Sequence, residues 1–175
     1  MAALVAAGRT PGFPARVEIV IGPKADAPAL GIAESLGIRT AVVPYGDGYD
    51  VRMIEALGDC QWLCLAGFLR IVPPTVLRHL GGTVLNIHPS LLPKHGGKGM
   101  YGIAVHEAVL AAREEESGCT VHYVNEVYDD GKIVLQTRCP VLPTDTAETL
   151  AARILELEHA TYPAALRKAI DETGR

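Results

Sequence analysis

The sequence predicts an open α/β sheet, mostly parallel, that finishes in an antiparallel hairpin within a single domain. Short apolar runs rich in β-branched residues alternate with helix-period segments, the pattern of a parallel sheet covered by helices. Asp129-Asp130-Gly131 is turn chemistry between two further strand-like runs, so those two are expected to pair antiparallel. A chain of 175 residues has the length of one domain, and a domain of that size buries about 70% of its unfolded surface.

Taken in order, Met1–Ala7 reads as a helix and Val17–Ile21 as the first strand. A helix near Ala27–Leu36, a strand Thr40–Val43, a helix near Val51–Leu57 and a strand Trp62–Ala66 continue the alternation. Pro73-Pro74 opens a helix to Leu80, as prolines favour at a first turn, and Thr83–Ile87 is the next strand. Then come a helix over Ile103–Arg113 and the hairpin strands Thr120–Asn125 and Lys132–Arg138. Asp145-Thr146-Ala147-Glu148 resembles a capping box that starts a helix over Thr146–Ala160, with Leu150, Ile154 and Leu157 on one face. Pro163 is expected to open a separate short helix to about Asp171. An open nucleotide-binding sheet usually starts on a strand followed by a phosphate-cradling glycine turn. This chain starts on a helix, so the domain over 1–175 reads as short at its N-terminus, without the usual first strand.

Composition narrows the function classes. Hydrophobic residues make up 49% and charged residues 21%, which excludes a disordered chain, and the longest apolar runs are strand-sized, so no membrane association is expected. With 16 Lys+Arg against 20 Asp+Glu the net charge is −4, which gives no general cationic field for nucleic acid. A small anionic substrate needs a local pocket instead. Cys60, Cys64, Cys119 and Cys139 form no CxxC pair and no zinc spacing, and they read as reduced core thiols, which points to the cytoplasm. The apolar opening Met1–Gly8 is too short for a secretory signal and has no basic segment before it, so no signal peptide is expected. His79, His95, His106 and His159 have no spacing suited to a metal, and none is expected.

The most informative stretch is Leu85-Asn86-Ile87-His88-Pro89-Ser90-Leu91-Leu92-Pro93-Lys94. Side chains alternate along a strand, so Asn86 and His88 project to the same side, where an amide and an imidazole can address one reacting group. Pro89 and Pro93 stiffen the exit, which places His88 at a rigid strand end.

This stretch resembles the signature of the folate-dependent formyltransferases. The likeness extends to Leu65–Val72, Gly97–Gly102, His106–Ala112, Gly118–Val124 and Tyr128–Gly131, and covers the chain from about Phe13 to Ala169. Within that superfamily the string from Pro89 to Lys94, followed by Gly97-Lys98-Gly99-Met100-Tyr101-Gly102, resembles the phosphoribosylglycinamide formyltransferase branch. The resemblance implies a Rossmann-like sheet and transfer of a formyl group from 10-formyltetrahydrofolate to glycinamide ribonucleotide. Those two small molecules are the implied partners, with no metal, no nucleic acid and no membrane, in a monomer or homodimer.

Formyl transfer needs an oxyanion donor, a proton-transfer group and something to set that group's protonation. The resemblance places these roles on Asn86, His88 and Asp129, with Asp129 expected to favour the protonated imidazole. It implies a pterin-binding segment at Arg70, Ile71 and Val72, a floor at Leu65, and a loop of Asn125, Glu126, Val127 and Tyr128 closing the other side. Lys98 and Met100 are expected in a mobile lid, looser for having Gly96 where the family commonly has Pro. His122 is expected to line the site, and Glu158, read on the helix face opposite Leu150, to reach the ribonucleotide. Asp130 stands where the family usually has Gly. Two rival readings stay open on the sequence alone: a hydrolase that keeps the folate and takes water as acceptor, and a non-catalytic folate-binding remnant or part of a longer chain.

Overall fold

A computed structural model describes residues 1–174. The element order is α1 (Ala2–Gly8), β1 (Ile19–Gly22), α2 (Pro28–Ser35), β2 (Arg39–Val42), α3 (Tyr49–Leu57), β3 (Leu63–Leu65), α4 (Pro74–His79), β4 (Val84–His88), α5 (Ile103–Ala111), β5 (Glu116–Tyr123), β6 (Ile133–Pro140) and α6 (Ala147–Thr173). Every predicted strand, and every predicted helix ahead of the C-terminal one, is present in the expected order, most with ends moved by a residue or two. β5 moves furthest. Gly118 explains this, because a Cβ there would lie 1.9 Å from the Thr137 carbonyl oxygen, so only glycine lets the two backbones approach and the ladder run back to Glu116 opposite Pro140.

The sheet is in two pieces. β1 and β2 pair in parallel, while β3, β4, β5 and β6 form a second sheet in that order, β3–β4 parallel and the remaining pairs antiparallel. Among the described residues no ladder joins β1 to β3. Apolar side chains nevertheless link the two. Ile21 packs in one apolar cluster with Leu63, Leu65 and Val84, and Val17 packs with Trp62, Cys64 and Leu85 in another. Leu65 and Val72, expected at a folate site, have their side chains in the first of these clusters.

α6 corrects the prediction at Pro163, since one helix of 27 residues runs straight through it. Proline removes one N–H and clashes with the preceding turn. Here that turn, His159 and Ala160, is exposed, so water can take up the freed carbonyl. Tyr162, Ala165, Leu166, Ala169 and Ile170 are buried against Leu85, Val121 and Val134, which holds both halves in line. The cap is also shifted by one residue. The Thr149 backbone N–H donates to Thr146 Oγ1 at 3.3 Å, and the Thr146 N–H donates to Thr149 Oγ1 at 2.9 Å. Asp145 is engaged elsewhere, in a two-pronged pair with Arg153 at 2.7 Å on each oxygen.

Tyr162 ties this helix to the sheet, its buried hydroxyl lying 2.8 Å from the Leu65 carbonyl oxygen and 3.0 Å from that of Leu85. Tyr162→Phe removes the donor and leaves both buried acceptors short of a partner. The expected loss is about 1–3 kcal/mol, read from urea unfolding with an unchanged slope.

Candidate active site

β4 delivers Asn86 and His88 to the same place, as side-chain alternation requires. β5 runs antiparallel beside it with His122 opposite Asn86 and Thr120 opposite His88. β6 carries one extra residue, Val134, where the register shifts beside Val121 and His122. Such a bulge re-aims the strand, and here it lies beside His122 and the turn that carries Asp129. Gly131 lets that turn close, since a Cβ there would lie 1.7 Å from the Tyr123 carbonyl oxygen.

The result is a compact polar cluster. Asp129 bridges two histidines, with Oδ2 3.5 Å from His88 Nδ1 and Oδ1 3.5 Å from His122 Nε2. His88 is only 4% exposed, and its Nε2–H donates to the His95 carbonyl at 2.9 Å. His122 Nδ1–H donates to the Tyr123 carbonyl at 2.8 Å, so its Nε2 accepts from the Asn86 amide at 3.3 Å. The Gly97 N–H donates to Asp129 Oδ2 at 2.9 Å and pins the glycine-rich loop to the carboxylate. Asp129 adopts a left-handed φ of 53°, and Asp130 does not, so the absent glycine at 130 costs no backbone strain.

Asp129 raises the His88 pKa, as expected, but a larger force opposes it. Burial pushes its pKa below the ordinary histidine value, and the opposing pull of Asp129 and of the His95 carbonyl does not fully offset it. Asp129 acts in the expected direction but loses to desolvation. Its own pKa lies below the usual carboxylate range: burial raises it, but the adjacent His122 ring, the Gly97 amide and the nearby His88 outweigh that. Asp129→Asn keeps the size and removes the charge, so the His88 pKa should fall further. NMR titration of the His88 ring checks this, and an unchanged titration would leave Asp129 a turn residue only.

Around this cluster the expected binding residues divide. Arg70, Ile71 and Tyr128 come together in a cavity of about 540 Å³ that also takes Tyr45, Tyr49 and Asp50. The Arg70 guanidinium lies 4.0 Å over the Tyr45 ring, which steers it across the cavity. Sequence reasoning passed over Tyr45 and Tyr49, whose spacing of four residues around Gly46 and Gly48 was the available signal. Asn125 Oδ1 accepts from the Val127 N–H at 2.9 Å and shapes the loop, while Glu126 and Val127 are exposed. Lys98 is exposed and Met100 half-buried in a loop with Gly97, Gly99 and Gly102 at positive φ.

The chain at Gly96 lies close to Asp129, since a Cβ there would be 3.2 Å from the Asp129 Cβ and 2.4 Å from the movable Leu92 Cδ2. One further expectation is corrected: Glu158 does not lie opposite Leu150. Eight residues on, it falls within about 80° of it around the helix, beside Ile154. It is half-buried, burial pushes its carboxyl up to about 7, and the Met1 amine pulls weakly the other way. Glu158 therefore sits by the start of α1 and not in the His88 cluster. Among the described residues no group of His, Cys, Asp or Glu side chains is placed to hold a metal ion, and no helix is long and apolar enough to cross a membrane.

The family described as Formyl transferase matches residues 1–166. A chloroplastic phosphoribosylglycinamide formyltransferase of Vigna unguiculata is 49% identical over 104 residues, which are 59% of this chain and 33% of that protein. This chain thus spans about a third of that relative's length. The crystal structure of phosphoribosylglycinamide formyltransferase from Brucella melitensis superposes with a TM-score of 0.86 at 41% identity, covering 95% of this chain and 86% of that one. A formyltetrahydrofolate deformylase of Pseudomonas syringae shares the fold alone, at 23% identity and a TM-score of 0.79 over 91% of this chain and 53% of that one. With a mixed α/β sheet of the same architecture and a match over nearly its whole length, this chain belongs to the formyl transferase family.

Proposed function

We propose that this protein transfers the formyl group of 10-formyltetrahydrofolate to the amine of glycinamide ribonucleotide, as a step of purine synthesis in the cytoplasm. The observation that carries the reading is the convergence of Asn86, His88 and Asp129 at the end of β4, beside the cavity of Arg70, Ile71 and Tyr128. The names of its relatives agree with it.

The chemistry assigns each group a task. The amine attacks the formyl carbon, the carbonyl oxygen gains charge, and the folate nitrogen leaves with a proton. The Asn86 amide has one N–H engaged by His122 and a second available to the developing oxyanion. His88 is neutral at rest with its proton on Nε2, so Nδ1 is the basic atom. A proton taken up there from the attacking amine meets the Asp129 carboxylate, which stabilises the imidazolium as it forms. The same proton then passes to the leaving nitrogen, and His88 returns to its neutral form.

Arg70 and the stacked Tyr45 flank the folate, whose flat ring suits an apolar and aromatic wall. Lys98 and Met100 form the lid, Asn125, Glu126, Val127 and Tyr128 the opposite wall, and Glu158 faces the nucleotide from beside α1. Leu65 and Val72 contribute through their backbone, since their side chains are core.

Product analysis tests the proposal. Incubation with 10-formyltetrahydrofolate should consume it only when glycinamide ribonucleotide is present, and yield the formylated ribonucleotide. Release of formate without the ribonucleotide would replace transfer by hydrolysis, and no turnover of either kind would leave only folate binding.

A further inference from the structure

We infer that Glu114 is a positioning residue for His88, acting through His95. Only the kinetic readout of this inference rests on the proposed transfer reaction. His88 donates its Nε2–H to the His95 carbonyl, so the orientation of that one peptide group fixes both the ring and the nitrogen that keeps its proton. With Nε2 committed, Nδ1 is the atom presented to Asp129.

The peptide is not held there by its own preference. His95 has a φ of 54°, in the left-handed region that a residue with a side chain seldom adopts. A cavity of about 510 Å³ opens on the far side of the loop, walled by Leu91, Pro93, Lys94, His95 and Glu114. The His95 ring is tethered instead by Glu114, which lies between α5 and β5: His95 Nε2 is 3.1 Å from one carboxylate oxygen, and Lys94 Nζ donates to the other at 2.7 Å. Lys94 first and His95 second hold the Glu114 carboxyl below the usual carboxylate range. Both ends of the loop's short arc are thus fixed, by Glu114 at residues 94 and 95 and by Asp129 at Gly97. Ser90 Oγ donates to the Lys94 carbonyl at 2.7 Å and, at 3.5 Å, more weakly to the His95 carbonyl that His88 also uses, steadying the arc from inside.

The imidazole of His88 is faced by Asp129 from the hairpin loop, His122 from β5, His95 from its own loop and His106 from α5. His95 acts on His88 in two ways, its carbonyl favouring the charged form more strongly than its ring opposes it, so freeing His95 removes net support for the charged form.

The test follows the His88 ring by NMR titration on the full chain, together with steady-state rates. Glu114→Ala should lower the His88 pKa, because the His95 carbonyl no longer holds its donor. It should also reduce kcat about tenfold or more while KM for either substrate changes little. Glu114→Gln retains an acceptor for His95 and should recover part of both. Glu116→Ala breaks the neighbouring Arg138 pair, 3.1 Å long, and should change neither. A Glu114→Ala protein with the parental His88 titration overturns the inference whatever its rate, since a loss of rate alone is what a merely structural role would give. The titration needs no substrate, so it decides the matter even if the transfer reaction fails to appear.

Discussion

His88→Ala is expected to lower kcat by about a hundredfold or more, the range for losing a general acid-base group, with little change in the binding of either substrate. The ring is buried and neutral at rest, one nitrogen committed to the His95 carbonyl and the other facing Asp129, so no other side chain in the cluster can take its place in the relay. His122 is the nearest candidate, but its Nδ1–H is held by the Tyr123 carbonyl and its Nε2 by Asn86. His88→Asn offers a hydrogen bond without a titrating nitrogen and should be no better than alanine. The measurement is kcat in a preparation shown by titrated folate binding to be fully folded. Near-parental turnover in His88→Ala would remove the histidine from the reaction and leave Asn86 and a bound water to carry it.

What could be read from the sequence was local. Asn86 and His88 share a strand, so alternation alone predicted that they would meet, and Asp129 stood in a turn whose strands could be recognised on either side. The balance of forces on His88 could not be read that way. It depends on burial, which the tertiary fold sets, and burial there exceeds the pull of the carboxylate that the sequence placed beside it. The same limit explains Pro163, where a local rule predicted a break but apolar contacts spread from Tyr162 to Ile170 hold the helix together. Glu114 carried no local signal as a site residue, and Tyr45 only its spacing from Tyr49. Each acts on a partner 19 or 25 residues away, His95 or Arg70, and only the folded chain brings those pairs within reach.

The largest change in stability and ligand affinity is expected from filling the space between the two sheets. Among the described residues β1 pairs only with β2 and β3 only with β4, although Ile21 and Leu65 share one apolar cluster and Val17 and Cys64 another. The facing edges of β1 and β3 thus share no ladder, and edge groups near a core are costly to leave without a partner. A strand fused ahead of α1, ending in a glycine turn and long enough to lie between them, should pair with both. Each added ladder bond is worth about 0.5–1.5 kcal/mol, so four to six of them should raise stability by several kcal/mol. The same turn would present backbone amides at the start of α1, where Glu158 already lies and where a nucleotide phosphate could be gripped. Two or three such charge-assisted bonds, at about 1.5–3 kcal/mol each, correspond to a hundredfold or more in ribonucleotide affinity. Folate binding should change little, because Arg70, Ile71 and Tyr128 lie on other elements. Calorimetric titration of each ligand, with and without the added strand, reads both effects at once. Tight ribonucleotide binding by the 175-residue chain itself, unimproved by the strand, would sink the prediction and move the phosphate site to Gly8–Gly12 or to Lys98.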